Sequence, residues 1–290
     1  MATVYSMTGF SAVTRDFPGG TLTLELKSVN HRYLEIQFRI PDVLRAFEPA
    51  LRERITALIR RGKVDCRLEW RKTGTFGQDA LLHTAALEQL RACGSIVQEV
   101  FPDATPLSVG EVLQWPGVFL QDTDALPVLE EASQALLPAA LDALMEARAR
   151  EGLKLKAFLL ERVTDMQRLL AALAPQIPTL VNTFHERLAT RLREALGTQD
   201  EERVRQEVAL FAARIDIEEE MSRLKMHLEE TCRILEGGGS IGKRLDFMMQ
   251  ELHREANTLG SKSVSVELSR AAMDLKVLIE QMREQVQNIE

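Results

Sequence analysis

GKRLDFMMQELHREANTLGSKS, residues 242–263, joins helical pattern and chemical variety more densely than any other part of the chain. Leu245, Met249, Leu252, Ala256 and Leu259 recur at spacings of three and four, which puts them on one face of a helix. The other side carries Arg244, Asp246, Gln250, Glu251, Arg254, Glu255, Asn257 and Thr258. A helix face kept wet by charge alone runs to repeated Glu and Lys. This one mixes carboxylates, guanidinium, amides and a hydroxyl, the inventory of a face that meets a polar ligand; a satisfied network between helices is the other reading. Gly260 is placed to end the helix, ahead of Ser261, Lys262 and Ser263.

Working outward, Gly237, Gly238 and Gly239 mark a turn into this helix from the one before it. The preceding helix carries Ile217, Met221, Leu224, Leu228 and Leu235 as its buried stripe. Asp216, Glu220, Arg223, His227 and Glu230 stack at helical spacing on its polar face. On the far side, Leu268, Ala272, Leu275, Ile279, Met282, Val286 and Ile289 alternate steps of four and three. That is a heptad seam for a second helix, within the chain or from a neighbouring copy. Gly237 to Arg244 nearly spells a phosphate-binding P-loop, but Arg244 stands where a metal-binding Ser or Thr is needed and a helix, not a strand, precedes it. Nucleotide hydrolysis through this loop is therefore set aside.

The front of the chain has the other periodicity. Leu22, Leu24 and Leu26, then Leu34, Ile36, Phe38 and Ile40, then Val64, Cys66, Leu68 and Trp70 alternate with polar residues. Each run has one buried and one wet face, which predicts a small antiparallel sheet. Gly19 and Gly20 form a turn, and a helix with Leu51, Ile55, Leu58 and Ile59 intervenes before the last strand. The fold class is therefore α+β: a small N-terminal antiparallel sheet with a helix, then a long, mainly α-helical region ending in the heptad-patterned helix. Within that region a helix holds Leu87, Leu90, Val97 and Phe101, and Leu113 to Val118 reads as a packed loop anchored by Trp115. A long helix is expected from Pro138 to Leu173, with Pro175 and Pro178 breaking it.

Composition bounds the function. Hydrophobic content of 45% and charged content of 27% are those of an ordinary globular protein. No apolar run approaches membrane-spanning length and no secretory leader pattern opens the sequence, so a cytoplasmic location is expected. Cys66, Cys93 and Cys232 fit neither a disulfide framework nor a zinc pattern, and each reads as a small buried apolar side chain. The net charge is −7, yet residues 1–72 hold 13 basic and 8 acidic side chains. A basic front end on an acidic chain suits a local anion-binding surface. With two Trp and two Tyr, an extended platform for base stacking is not expected.

Two chemical readings remain for the polar helix faces. Glu251 and Glu255 lie four residues apart, roughly 6 Å along a helix, so both can reach one hard cation. Glu251, Arg254 and Glu255 can equally form surface ion pairs worth tenths of a kcal/mol. No Ser/His/Asp or Cys/His arrangement is present, and His83, His185 and His253 stand alone as structural residues.

Particular motifs carry a family resemblance along the whole chain. They are Ser6-Met7-Thr8, Ser28-Val29-Asn30-His31-Arg32-Tyr33-Leu34-Glu35, Arg61-Gly62-Lys63 and Trp115-Pro116-Gly117. Further on come Arg214-Ile215-Asp216, Glu219-Glu220, Arg223-Leu224, His227, Leu245-Asp246-Phe247, Gln250-Glu251, Arg254-Glu255, Asn257-Thr258, Ser261-Lys262-Ser263 and the ending Glu280 to Glu290. The chain resembles the YicC family of bacterial stress-associated endoribonucleases. The resemblance implies a YicC-like N-terminal α+β domain with a helical extension over 1–155, connecting helices over 156–205 and a helical C-terminal domain over 206–290. It also implies metal-dependent cleavage of single-stranded or loosely structured RNA by a ring-like homohexamer, with other RNA-decay proteins as further candidate partners and no membrane.

Residue chemistry then nominates the site. Glu251, Glu255 and His227 are the catalytic candidates, and Glu251, Glu255 and Glu219 the ligands for Mn²⁺ or Mg²⁺. Arg32, Arg61, Lys63, Arg223, Arg244, Arg254, Asn257 and Lys262 are the RNA-binding candidates. A non-catalytic RNA-binding adaptor and a pure assembly scaffold are the competing functions.

Overall fold

A computed structural model describes residues 2–17, 20–72, 84–118, 125–196, 201–214 and 217–290. The alternating runs become strands β1 (Gly9–Phe17), β2 (Gly20–Val29), β3 (Leu34–Arg39) and β4 (Gly62–Lys72), with a 3-10 turn at Asp42–Phe47 and helix α1 (Glu48–Leu58) between the last two. Leu22, Leu24, Leu26, Val64, Cys66 and Leu68 point to one face and are buried, as period-two alternation requires. Of the glycine pair expected to turn before β2, Gly20 opens the strand and Gly19 lies outside the described residues.

The sheet order is β1-β2-β4-β3. Both β1–β2 and β2–β4 are antiparallel, but β3 pairs with β4 in parallel, from Leu34 opposite Gly62 to Arg39 opposite Arg67. The expectation of a purely antiparallel sheet is corrected on this point. The helix between β3 and β4 carries the chain back to the start of β3, and a crossover of that kind returns the next strand in the same direction.

Helices α2 (Thr84–Val100), α3 (Val109–Gln114), α4 (Ala125–Leu173), α5 (Ile177–Leu196), α6 (Glu201–Arg214), α7 (Glu218–Gly237), α8 (Gly242–Ser261) and α9 (Val266–Val286) follow. Helix α4 runs straight through Pro138, where a helix start was expected. Pro138 and Gln134 are both exposed, so the carbonyl that loses its partner at a mid-helix proline faces water. The packed loop around Trp115 is also corrected. Leu113 and Gln114 belong to α3, Trp115 is 51% exposed, and Val118 is the buried residue of that stretch. Gly260 lies inside α8, one residue short of its end.

Two hydrophobic cores share α4. Its first half gives Leu136, Leu137, Ala140, Leu141 and Leu144 to the core under the sheet, together with Leu51 and Ile55 of α1. Its second half gives Leu159, Val163, Met166 and Leu170 to a core built with α7, α8 and α9. The heptad seam of α9 is buried along its whole length against helices of the same chain, which settles the alternative left open by its spacing. Cys66 lies in the first core, where burial pushes its thiol up to about 12 and keeps it protonated; Cys232 is half-buried and Cys93, against expectation, exposed.

Both cores meet where the segments at the two ends of the described chain cross. Ser6 and Ile289 form an antiparallel bridge. The amides of Met7 and Glu290 donate to the carbonyls of Asn288 and Tyr5, at 2.7 and 3.1 Å. Beneath them lies Arg148 of α4, fully buried. Its Nε donates to the Ser6 carbonyl at 2.6 Å and its Nη2 to the Glu290 carboxylate at 2.7 Å. Gly242 gives the room: a Cβ there would stand 2.3 Å from the Ile289 carbonyl oxygen.

Two stability measurements follow from these contacts. Arg148→Met leaves the Glu290 carboxylate without its buried cation and is expected to cost about 3–5 kcal/mol in denaturant unfolding. Adding Glu290→Gln should recover part of that loss, and a single variant as stable as the parent would show that the pair is not structural. Ile279→Asp puts an unpaired charge into a seam where each aliphatic side chain contributes roughly 1.5–3 kcal/mol. It should lower the melting temperature by several degrees or abolish cooperative unfolding, and an unchanged melting curve would contradict the seam.

Candidate functional site

Helices α7 and α8 lie antiparallel, joined by the turn at Gly238–Ile241. The turn's donors are already used within the chain. Gly239 N–H bonds the Thr3 carbonyl, and Ile241 and Gly242 N–H both reach the main-chain oxygen of Glu290. With these amides spent inside the chain, the turn does not offer the continuous cradle of free donors that a phosphate-binding loop needs, consistent with setting the P-loop reading aside.

The polar faces of the two helices meet along a seam. At one end Lys262 Nζ donates to Glu220 Oε1 at 2.8 Å. Next, Arg223 bridges Glu219 of its own helix and Glu255 of α8, with Nη1 3.6 Å from Glu255 Oε1. Then come His227 with Glu251 and Glu255, and at the far end Arg244 pairs with Glu230 at 3.3 Å. The partners descend one helix as they ascend the other, which is how antiparallel helices present residues spaced by three and four.

His227, Glu251 and Glu255 each offer a ligand atom, and those three atoms lie within 4.8 Å of one another. Donors about 2.1 Å from one ion stand roughly 3–4 Å apart, so a small closure of side chains would bring all three onto a cation. Two carboxylate oxygens and an imidazole nitrogen are a donor set that a divalent cation can use. Glu255 is 3% exposed, and its ion-pair distance to Arg223 exceeds a normal hydrogen bond. A buried carboxylate held so loosely favours an added positive charge.

Helix geometry brings this trio together: Glu251 and Glu255 are one turn apart on α8, and His227 comes from α7 opposite them. Glu219 stays outside the trio, on Arg223. Glu220, on the same polar face of α7, is buried with Lys262, and its second carboxylate oxygen has no hydrogen-bond partner among the described residues. Asp216, expected on that face, and His83 lie outside the described residues.

The basic candidates fall into two groups. Arg254 is exposed with its guanidinium 3.7 Å from Glu251, beside the trio, and Asn257 bonds His253 one turn back, so His253 sits on the surface rather than in a core. The N-terminal cations gather elsewhere. Arg61 donates to the His31 carbonyl at 3.1 Å, Lys63 lies 3.9 Å from Glu35, and Arg32 stacks on Tyr33 with 5.3 Å to the ring centroid. Arg61 also lines a cleft of about 290 Å³ with Asn30, Lys243, Asp246 and Gln287. Across that cleft Arg61 faces the first turn of α8, roughly two to three turns from the trio.

Sequence reading missed Arg148 and Glu290, the pair that holds the cleft's walls together. A signal was present: Arg148 continues the buried series Leu137, Leu141, Leu144 on α4, and a guanidinium on an apolar stripe needs a buried partner.

Residues 4–157 match the profile described as Endoribonuclease YicC-like, N-terminal region, and residues 173–290 match Endoribonuclease YicC-like, C-terminal. The chain is 39% identical to the probable endoribonuclease YicC of Haemophilus influenzae, over 99% of this chain and 100% of that protein. It is 29% identical to the probable endoribonuclease YicC of Clostridioides difficile, over 98% of this chain and 99% of that one. With both profiles matched and a relative aligned from end to end, the chain belongs to the endoribonuclease YicC-like family.

Proposed function

We propose that the protein is a metal-dependent endoribonuclease that cuts single-stranded or loosely structured RNA at the seam of α7 and α8. The observation that carries this reading is the convergence of His227, Glu251 and Glu255 from two helices, with Arg223 and Arg254 at their edge. Glu251, Glu255 and His227 would hold a divalent cation, which would supply Lewis-acid charge to the phosphoryl oxygens of the scissile phosphate. Glu219, now paired with Arg223, would be the further carboxylate for that cation if Arg223 paired with a phosphate instead. His227 offers a nitrogen that either ligates or takes the proton of the attacking oxygen, water or the ribose 2′-hydroxyl. Arg223 and Arg254 grip the phosphate by charge-assisted hydrogen bonds.

The remaining basic candidates have places on the same path. Arg244 and Lys262 mark the two ends of the α7–α8 seam, Asn257 lies one turn past Arg254, Arg61 takes the flanking strand at the cleft, and Arg32 and Lys63 take it on the same N-terminal part of the chain. The active form is a ring-like hexamer in the cytoplasm that encloses RNA. Apolar side chains on α2, on α3 and in the segments next to them support self-association: Ile96, Val100, Phe101, Leu107, Val109 and Trp115 are all exposed, and Leu107 and Trp115 line a groove of about 500 Å³ with Leu90 and Val97. Among the described residues no helix is long and apolar enough to cross a membrane.

Two measurements test the proposal. Glu251→Gln and Glu255→Gln keep side-chain shape but each removes a negative charge from the trio. Cleavage of a labelled oligoribonucleotide should fall roughly 10²–10⁴-fold, RNA binding should persist, and raised Mn²⁺ should restore part of the rate. Full activity of both variants at limiting metal would sink the site, and binding without cleavage by the purified parent at any metal concentration would favour the adaptor. RNA affinity should also fall as salt rises, and replacing Arg61 and Lys63 together by Ala should flatten that log–log slope by about 1.4. An unchanged slope removes these two residues from the RNA path.

A further inference from the structure

We propose that Phe247 is a base-stacking platform, binding one nucleobase of the RNA strand about one helical turn from the metal-binding trio. The inference rests on the reading that RNA is the ligand, and it assigns a residue that the catalytic and phosphate-binding sets do not include. Phe247 is 55% exposed on α8, while Leu245, Met248, Met249 and Leu252 of the same helix are buried in the core. Among the described residues of α8 it is the one large hydrophobic side chain left at the surface.

Its surroundings select the ligand. Lys243, Phe247, Gln250, Arg254 and Asn257 follow one another at spacings of three and four and are all exposed, so they form one outward row. Lys243 lies roughly 6 Å from Phe247 along the axis on one side, and Glu251 roughly 6 Å on the other. On either side of Phe247 in sequence, Gln250 Nε2 donates to Asp246 Oδ2 at 2.9 Å, which partly satisfies that carboxylate. A protein partner that buried Phe247 would have to desolvate the cation and the amide in the same row, and the centres of protein interfaces are poor in charged groups. A nucleotide needs the opposite: a flat apolar disc for its base, with a cation within reach of its phosphate. Every base has such a face, so the platform holds the strand in place without dictating sequence.

The test uses the full chain without added divalent metal, so that binding is read apart from cleavage. A labelled single-stranded oligoribonucleotide is titrated against the parent, Phe247→Ala and Phe247→Tyr, with the assembly mass of each taken by light scattering. Phe247→Ala should weaken binding about 5- to 140-fold, the range for loss of one stacked base. Phe247→Tyr should retain most of the affinity at unchanged mass. A set of oligonucleotides, each with one abasic position, should contain a position that weakens the parent but adds nothing to Phe247→Ala, because both changes remove the same contact. Parent-like affinity of Phe247→Ala, additive abasic losses at every position, or a fall in mass that marks Phe247 as a subunit contact would each overturn the proposal. A parent that binds no RNA overturns the functional reading and this inference together, whereas binding by the parent with an indifferent Phe247→Ala removes this inference alone.

Discussion

Arg148 is the contact on which the rest of the arrangement depends. A guanidinium with no exposed surface must have acceptors on every side, because a buried charge without partners costs several kcal/mol. Its acceptors come from the Ser6 main chain and the Glu290 carboxylate, nearly three hundred residues apart in sequence. Glu290 in turn accepts from the Arg60 amide through its other oxygen at 3.4 Å, and from the Ile241 and Gly242 amides through its main chain. One ion pair therefore fixes the middle of α4, the end of α1's loop and the start of α8 relative to one another. The cleft between Arg61 and Lys243 is a by-product of that junction, and its geometry follows from it.

The seam of α7 and α8 follows a different logic. A seam of apolar residues would be more stable, since replacing buried ion pairs with well-packed hydrophobic side chains is often neutral or favourable. Here the hydrophobic work is done underneath by Leu224, Leu228, Leu245, Met249 and Leu252, all fully buried, which leaves the upper edge available for charge. Arg223 holds two carboxylates at once and Arg254 rests 3.7 Å from a third. These contacts lie at the edge of the apolar core rather than within it.

Much of the fold was legible in the chain. Period-two runs around Leu24, Ile36 and Leu68 gave strands where strands occur, and the seam from Leu268 to Ile289 gave a helix buried along its whole apolar stripe. The misreadings share a cause. A proline stops an isolated helix, yet Pro138 is carried within α4 because the flanking turns pack on the sheet and the orphaned carbonyl faces water. A tryptophan in a proline-rich stretch suggests burial, yet α3 finds no core to enter and Trp115 stays on the surface. The parallel pairing of β3 depends on where the crossover helix returns the chain, which alternation of residues does not encode. What the sequence shows of the candidate site is local: the two carboxylates of α8 share a helix, while Arg148 and Glu290 find each other only across the whole chain.

By itself the sequence determined which faces are apolar and which polar, because the periods of 2 and 3.6 are properties of the backbone and survive in any fold. It determined the α+β class, the heptad seam, and the one-turn spacing of Glu251 and Glu255. Tertiary structure decided which polar faces meet. His227 reaches Glu251 and Glu255 because α7 and α8 pack antiparallel in one register, and a slip of one turn would bring other side chains opposite them. It also decided that Glu220 is taken by Lys262 and that the α9 seam is satisfied within the chain. The physical reason is that periodicity fixes the direction of a side chain from its own helix axis. Distance between side chains on different helices is fixed only by how the apolar faces beneath them interlock.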